Sequence, residues 1–260
     1  MNTPSITATL IAGAGNALSA ALLQQAQSRM TANGAGVQWN VLSDNTAVDM
    51  TVQGGNSDAL RQVLQDIFKT QPVDIIVQSS DNRRKKLLIA DMESTMIEQE
   101  MLDELAASIG VGERVAEITR RAMNGELDFA AALKERVGLL KGQPEKLLEE
   151  VGRRVTFMPG AETLVATMRQ HNAQCWLVSG GFGGFAAPVA HHLGFTEAYA
   201  NHLIVRDGVI AGEVMEPILD KNTKQALLER ACVEHKITLA DTLAVGDGAN
   251  DVPMLATSNE

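Results

Sequence analysis

Apolar residues recur with two different periods along this chain, and the changes of period divide it. Residues 5–12, SITATLIA, have the short apolar run of a strand. Residues 17–32 then place Leu18, Ala21, Leu22, Ala26 and Met30 at helical spacing. Two strand-like runs, 37–42 and 46–53, flank Ser43-Asp44-Asn45, which reads as a hairpin turn. Residues 57–68, SDALRQVLQDIF, return to helical spacing behind Ser57, which the pattern offers as the cap. PVDIIVQ, 72–78, is one more strand. The order β-α-β-β-α-β predicts an α+β, ferredoxin-like unit with its helices on one face. The polar, basic stretch SSDNRRKK follows, and a boundary is expected near residue 85, giving units 1–85 and 86–260.

The second part opens on KLLIAD, an apolar run without alternation, as expected for a strand covered on both faces of a parallel sheet. From about 97 to 152 the period is helical throughout, which predicts a helical insertion. Strand and helix then alternate. Residues 159–172 predict a helix, QCWLVS (174–179) a strand, and FGGFAAPVAHHLG (182–194) a helix. HLIVRDGVIAGEV (202–214) predicts a hairpin about Asp207-Gly208. NTKQALLERACVEH (222–235), TLAVGD (242–247) and NDVPML (250–255) add helix, strand and helix. Alternation of this kind predicts a doubly wound, Rossmann-like α/β domain.

Composition narrows the class only a little. The chain has 260 residues, 45% of them hydrophobic and 21% charged, enough for a real core. A formal net charge of −10 argues against broad binding to nucleic acid or anionic membranes. It leaves room for an anionic ligand held by local N–H groups and cations. Cys175 and Cys232 have no zinc or CxxC spacing and are read as reduced thiols. MNTPSITATLIAGAG lacks a basic leader, and no apolar run reaches the ~20 residues that span a bilayer. The expected location is the cytoplasm.

Three runs end on a polar residue followed by a turn: LLIAD at Asp91, CWLVS at Ser179 and LAVGD at Asp247. Ligands of open α/β sheets sit at the carboxyl ends of strands. Asp91, Asp247 and Asp251 are hard oxygen donors suited to Mg²⁺. Ser179 with the N–H groups of Gly180 and Gly181 can cradle phosphate oxygens at a helix start. Lys224 can add a positive charge. Together these are the parts of phosphoryl transfer through an aspartyl-phosphate, with Glu93 as the acid that moves protons. Taken singly, each position also suits a helix cap, a tight turn or a solvated side chain.

In this order the motifs resemble those of the haloacid-dehalogenase-like (HAD) phosphatases, and within them the phosphoserine phosphatases. DMEST at 91–95 is similar to the first motif, D-x-D-x-T, and VSGGF at 178–182 to the second. Lys224 stands where the third motif has its lysine, and GDGANDVPML at 246–255 resembles the fourth, with Asp247, Asn250 and Asp251. The likeness covers about 87–260. It implies a HAD-like core with a helical cap. It also implies Asp91 as nucleophile, Glu93 as general acid and base, and Ser179 and Lys224 at the reacting phosphate. Mg²⁺ would be held by Asp91, the Glu93 backbone carbonyl, Asp247 and Asp251.

Residues 96–106, 118–142 and 200–212 look like the cap and following hairpin of the phosphoserine phosphatases. By that likeness Glu100 meets the substrate amine and Arg136 its carboxylate, a pairing that suits a guanidinium fork. Met123 and Phe129 close over the small side chain, and Ser179, Gly180, Gly181 and Asn250 complete the binding site. The implied reaction is hydrolysis of O-phospho-L-serine, the last step of serine biosynthesis. The N-terminal unit looks like the ACT-like domains attached to some members. Amino-acid sensing, a homodimer through this unit, and a plain structural role all remain open.

Two departures from the family pattern stand out. Glu93 occupies the place of the usual Asp, one methylene longer, where catalytic groups need placement within ~0.5 Å. The chain also stops at MLATSNE, where members continue with another strand and helix, so an exposed sheet edge and lowered stability are expected. Other readings are a dinucleotide enzyme using Gly181, Gly183 and Ala186, a phospho-accepting signalling domain, a catalytically weak regulatory or amino-acid-binding homologue, and a phosphatase for another small phosphomonoester.

Overall fold

A computed structural model describes residues 5–258 except 33, 35 and 55. The chain forms two compact units, Met1–Arg83 and Arg84–Glu260. Among the described residues no helix is long and apolar enough to cross a membrane.

In the first unit, strands β1 (Ser5–Ala12), β2 (Val37–Ser43), β3 (Ala47–Gln53) and β4 (Val73–Ser79) form an antiparallel sheet in the order β2-β3-β1-β4. Helices α1 (Ala20–Ala32) and α2 (Ser57–Phe68) contribute Ala26, Met30, Leu60, Leu64 and Phe68 to a core shared with Ala8, Leu10 and Met50 of the sheet. The cap of α2 is Asn56, not Ser57. The Asn56 Oδ1 accepts from the N–H groups of Asp58 and Ala59 at 2.9 and 3.0 Å, and Ser57 is already helical. Asn spans that distance as well as Ser does, so the pattern alone could not choose between neighbours. Thr9 and Asp49 are buried polar residues on adjacent strands. Arg83 satisfies them, forking onto both Asp49 oxygens at 2.9 Å and donating to Thr9 at 3.0 Å.

The second unit is an α/β domain on a four-stranded parallel sheet. Its strands are β5 (Leu87–Ala90), β6 (Gln174–Phe182), β7 (Glu197–Asn201) and β10 (Thr242–Val245), in the order β10-β5-β6-β7. All four residues of β5 have no exposed surface, because both faces of the sheet are covered. Strand β7 was hidden in the sequence, where EAYAN lacks the apolar run of its neighbours. Strands β8 (Leu203–Arg206) and β9 (Val209–Val214) form the expected hairpin, with Asp207 and Gly208 both at positive φ, as a tight two-residue turn requires.

Between β5 and β6 lie α3 (Met101–Ser108), α4 (Gly112–Met123), α5 (Phe129–Gly138) and α6 (Lys146–Gly152), the predicted helical insertion, followed by α7 (Ala161–Gln170). Helix α8 (Gly183–Leu193) follows β6, α9 (Lys221–His235) precedes β10, and α10 (Val252–Thr257) follows it. The chain runs from β5 outward to β6 and β7, then returns to place β10 on the other flank of β5. Connections therefore diverge between β5 and β10, and their carboxyl ends bound a crevice free of crossing backbone. Asp91 follows one of these strands and Asp247 the other.

Candidate active site

Asp91 is the first residue beyond β5, and its N–H donates to the Val245 carbonyl at 2.9 Å, tying it to the end of β10. Its Oδ1 accepts from the Met92 N–H at 2.7 Å and from Lys224 Nζ at 2.8 Å. Lys224 reaches this point from the first turns of α9. That helix starts at a capping box in which Asp220 accepts from the Asn222 and Thr223 N–H groups. The same ammonium lies 2.7 Å from Asp251 Oδ1. Lys224 and Asp251 are 1% and 0% exposed, so both lie under the crevice rather than in it.

Asp251 is held from its other side by the Gly248 N–H, 3.0 Å from Oδ2. A Cβ on Gly246 would sit 2.4 Å from the Asp251 carboxyl carbon, so the close turn after β10 requires a bare backbone there. Asp247 is exposed at the mouth and accepts from Thr95 Oγ1 at 3.1 Å.

Carboxylate oxygens of Asp91, Asp247 and Asp251 lie within 4.8 Å of one another. Burial pushes the Asp91 carboxyl up to about 6, against the pull of Lys224, and Asp251 adds to the rise. One lysine thus faces three clustered carboxylates. The excess negative charge and the all-oxygen donor set fit a hard divalent cation.

Glu93 folds toward the insertion. Its Oε1 accepts from the Met101 N–H at 2.9 Å, the first helical residue of α3. The positive end of a helix N-terminus suits a carboxylate there. Its carboxyl is nevertheless pushed up to about 8, first by burial and then by the charge of Glu100. Ser94, at φ 53°, turns its hydroxyl onto Glu100 Oε1 at 2.7 Å.

Ser179 lies inside β6, which continues to Phe182, so α8 begins at Gly183 rather than at the SGG turn. Its buried Oγ accepts from the Gly181 N–H at 2.9 Å, which orders this bulged stretch of β6 from within. Asn201, at the end of β7, donates to the Gly180 carbonyl at 2.8 Å and accepts from the Leu219 N–H at 2.8 Å. Sequence reasoning did not single out Asn201, because a lone Asn at the end of an unrecognised strand carries no signal.

Above these groups is a cavity of about 350 Å³ lined by Asp91, Glu93, Glu100, Arg136, Phe129, Gly180, Asp247 and Asn250 among others. Nearly all the expected site residues thus converge. Met123 and Ser179 do not line it: Met123 lies at the end of α4 with 84% of its surface exposed, and Ser179 is fully buried. Asp103 and Thr119 line it and were not anticipated. The signal for Asp103 was its place three residues beyond Glu100, on the same face of α3. Arg136 enters from the last turn of α5, where Nε donates to the Ala132 carbonyl at 3.3 Å. Burial lowers the guanidinium pKa, and Asp103, Glu93 and Glu100 oppose that.

Residues 88–256 match the model of the haloacid dehalogenase-like hydrolases. The chain belongs to this hydrolase family. Among curated relatives, a phosphoserine phosphatase of Streptococcus thermophilus is 44% identical over 174 residues, which are 67% of this chain and 81% of that one. A phosphoserine phosphatase of Archaeoglobus fulgidus is 37% identical over 213 residues, or 80% of this chain, which spans 62% of that relative's length. A solved phospho-aspartyl intermediate analogue of a phosphoserine phosphatase superposes with TM-score 0.63 at 39% identity, covering 68% of this chain and 84% of that one.

Proposed function

We propose that this protein is a Mg²⁺-dependent phosphatase that hydrolyses O-phospho-L-serine to L-serine and phosphate, as a cytoplasmic enzyme of serine biosynthesis. The observation that carries the reading is that two sets of groups meet at one cavity. Lys224 lies against both Asp91 and Asp251, and Glu100 and Arg136 line the same cavity as Asp91. One set suits a phosphoryl group and the other suits an amino acid's amine and carboxylate. The relatives named above support the same substrate.

In this mechanism Asp91 attacks phosphorus, the P–O bond to serine breaks, and an aspartyl-phosphate forms. Glu93, kept protonated by its buried setting, gives its proton to the leaving serine oxygen. It then takes a proton from the water that attacks the aspartyl-phosphate, releasing phosphate and restoring Asp91. Lys224 balances the charge of Asp91 and Asp251 throughout; Gly180, Gly181 and Asn250 line the cavity, and the buried Ser179 holds the Gly181 N–H behind them. Asp91, Asp247, Asp251 and the Glu93 backbone carbonyl would hold Mg²⁺, which supplies positive charge against the phosphoryl oxygens. Phe129 closes over the substrate side chain. Met123 joins it only if the end of α4 moves inward.

For the N-terminal unit we propose an ACT-like role, amino-acid sensing or pairing of two copies, supported by its β-α-β-β-α-β order and antiparallel sheet. A catalytically weak homologue is the second reading, favoured by Glu93 in place of Asp.

Phosphate release from phosphoserine, with and without Mg²⁺, in wild type and Asp91→Asn, tests the proposal. Mg²⁺-dependent release that Asp91→Asn abolishes is expected. Release that survives the substitution overturns the mechanism. Faster release from another small phosphomonoester overturns the substrate assignment.

A further inference from the structure

The extra methylene of Glu93 has to go somewhere, and the structure shows where. The side chain spans from the end of β5 to the N-terminus of α3, where Met101 N–H holds one oxygen at 2.9 Å. The opposite wall is Gly181. A Cβ at residue 181 would lie 2.6 Å from Glu93 Oε2 and 2.9 Å from both Cδ and Oε1. The carboxyl group therefore occupies the space that any side chain at 181 would claim. Gly181 itself is not at positive φ, so its backbone does not require glycine. What requires it is the neighbour.

The carboxylate is the far end of a flexible side chain, and it yields by rotating. A methyl group at 181 would thus cost the fold little and cost Glu93 its place. The residue is also spared from serving through its N–H alone, because that N–H already donates to Ser179 Oγ at 2.9 Å and an alanine would keep it.

We propose that Gly181 is a positioning residue for Glu93. Its missing side chain leaves the room in which the Glu93 carboxyl does its proton-transfer work. The proposal rests on the reading of Glu93 as the group that moves protons. The two residues are 88 positions apart in sequence (181 − 93), and only the fold brings them together.

The test is a double-mutant cycle on the Mg²⁺-loaded full chain, reading kcat, KM and Tm with phosphoserine. Gly181→Ala is expected to stay folded and to lose about 10²-fold in kcat, the lower end of what general acid–base help supplies. In Glu93→Asp, whose carboxyl stops one methylene short of residue 181, the added Gly181→Ala is expected to cost about tenfold less in kcat than it does beside Glu93. Equal losses in both backgrounds would overturn the proposal, as would wild-type kcat in Gly181→Ala. An unfolded Gly181→Ala protein would overturn it too, because that result assigns the glycine to the fold. Glu93→Ala separates the underlying reading: if it keeps wild-type kcat, Glu93 moves no proton, whatever Gly181 does.

Discussion

The ammonium of Lys224 lies 2.7 Å from Asp251 Oδ1, and neither side chain has more than 1% of its surface exposed. The same ammonium reaches Asp91 at 2.8 Å, so one buried cation serves two buried carboxylates. Removing one partner of a buried pair leaves uncompensated charge, at about 3–5 kcal/mol. Lys224→Met is therefore expected to destabilise the metal-free protein by about that much and to abolish phosphatase activity. Urea denaturation in chelator, with phosphate release alongside, checks both. An unchanged midpoint would show that the pair contributes nothing.

Asp220 anchors the helix that carries Lys224. Its carboxyl pKa is lowered, first by the Thr223 N–H; burial opposes this, and further bonds to Thr223 and Asn222 add to the fall. A lowered folded pKa means stability that is fully present above the unfolded value of 3.8 and lost as pH falls through the folded one. Asp220→Ala should cost about 1 kcal/mol at pH 7. The gap between the two proteins should shrink below pH 3.8. Denaturation midpoints at pH 7 and pH 3 read this directly, and a gap that does not change with pH would remove the charged cap from the account.

Asn201 tests the support of the bulged end of β6. Asn201→Ala leaves the Gly180 carbonyl and the Leu219 N–H without their partner, at about 1–3 kcal/mol for each buried group. The expected result is a lower urea midpoint together with reduced kcat. Asn201→Asp keeps the acceptor for Leu219 and loses the donor to Gly180, so it should recover part of the stability. If both variants melt like wild type, the clamp is not holding this stretch.

Metal linkage gives a fourth outcome. A ligand that binds only the folded state at 100 times its Kd stabilises it by about 2.7 kcal/mol. Mg²⁺ at that excess should raise the wild-type Tm, and Asp247→Asn should remove most of the rise while changing the metal-free Tm little, because Asp247 is exposed. A full Mg²⁺ shift in Asp247→Asn would take this residue out of the cation site.

Much of this site was legible before any fold was drawn. Asp91, Ser179, Lys224, Asp247 and Asp251 sit in short motifs, since a strand end needs few residues to present a group and the chemistry permits few types. The helical period from 97 to 152 likewise marked the insertion, because amphipathic helices repeat their apolar residues whatever they pack against. Elsewhere the local signals are weak or ambiguous. EAYAN has too few apolar residues to show as strand β7, and Asn56 and Ser57 could each cap α2.

The sequence by itself therefore determined which groups the protein can bring to a phosphoryl centre, and the strand–helix alternation that delivers them to one edge of a sheet. Tertiary structure alone decided their relations. It set β10 beside β5 so that Asp91 and Asp247 share a crevice. It buried Lys224 between two acids, left Met123 outside the cavity, and laid the Glu93 carboxyl against the bare backbone of Gly181. The physical reason is that motifs are local while proximity, burial and shared charge belong to the packed chain, where residues far apart in sequence compete for the same few ångströms.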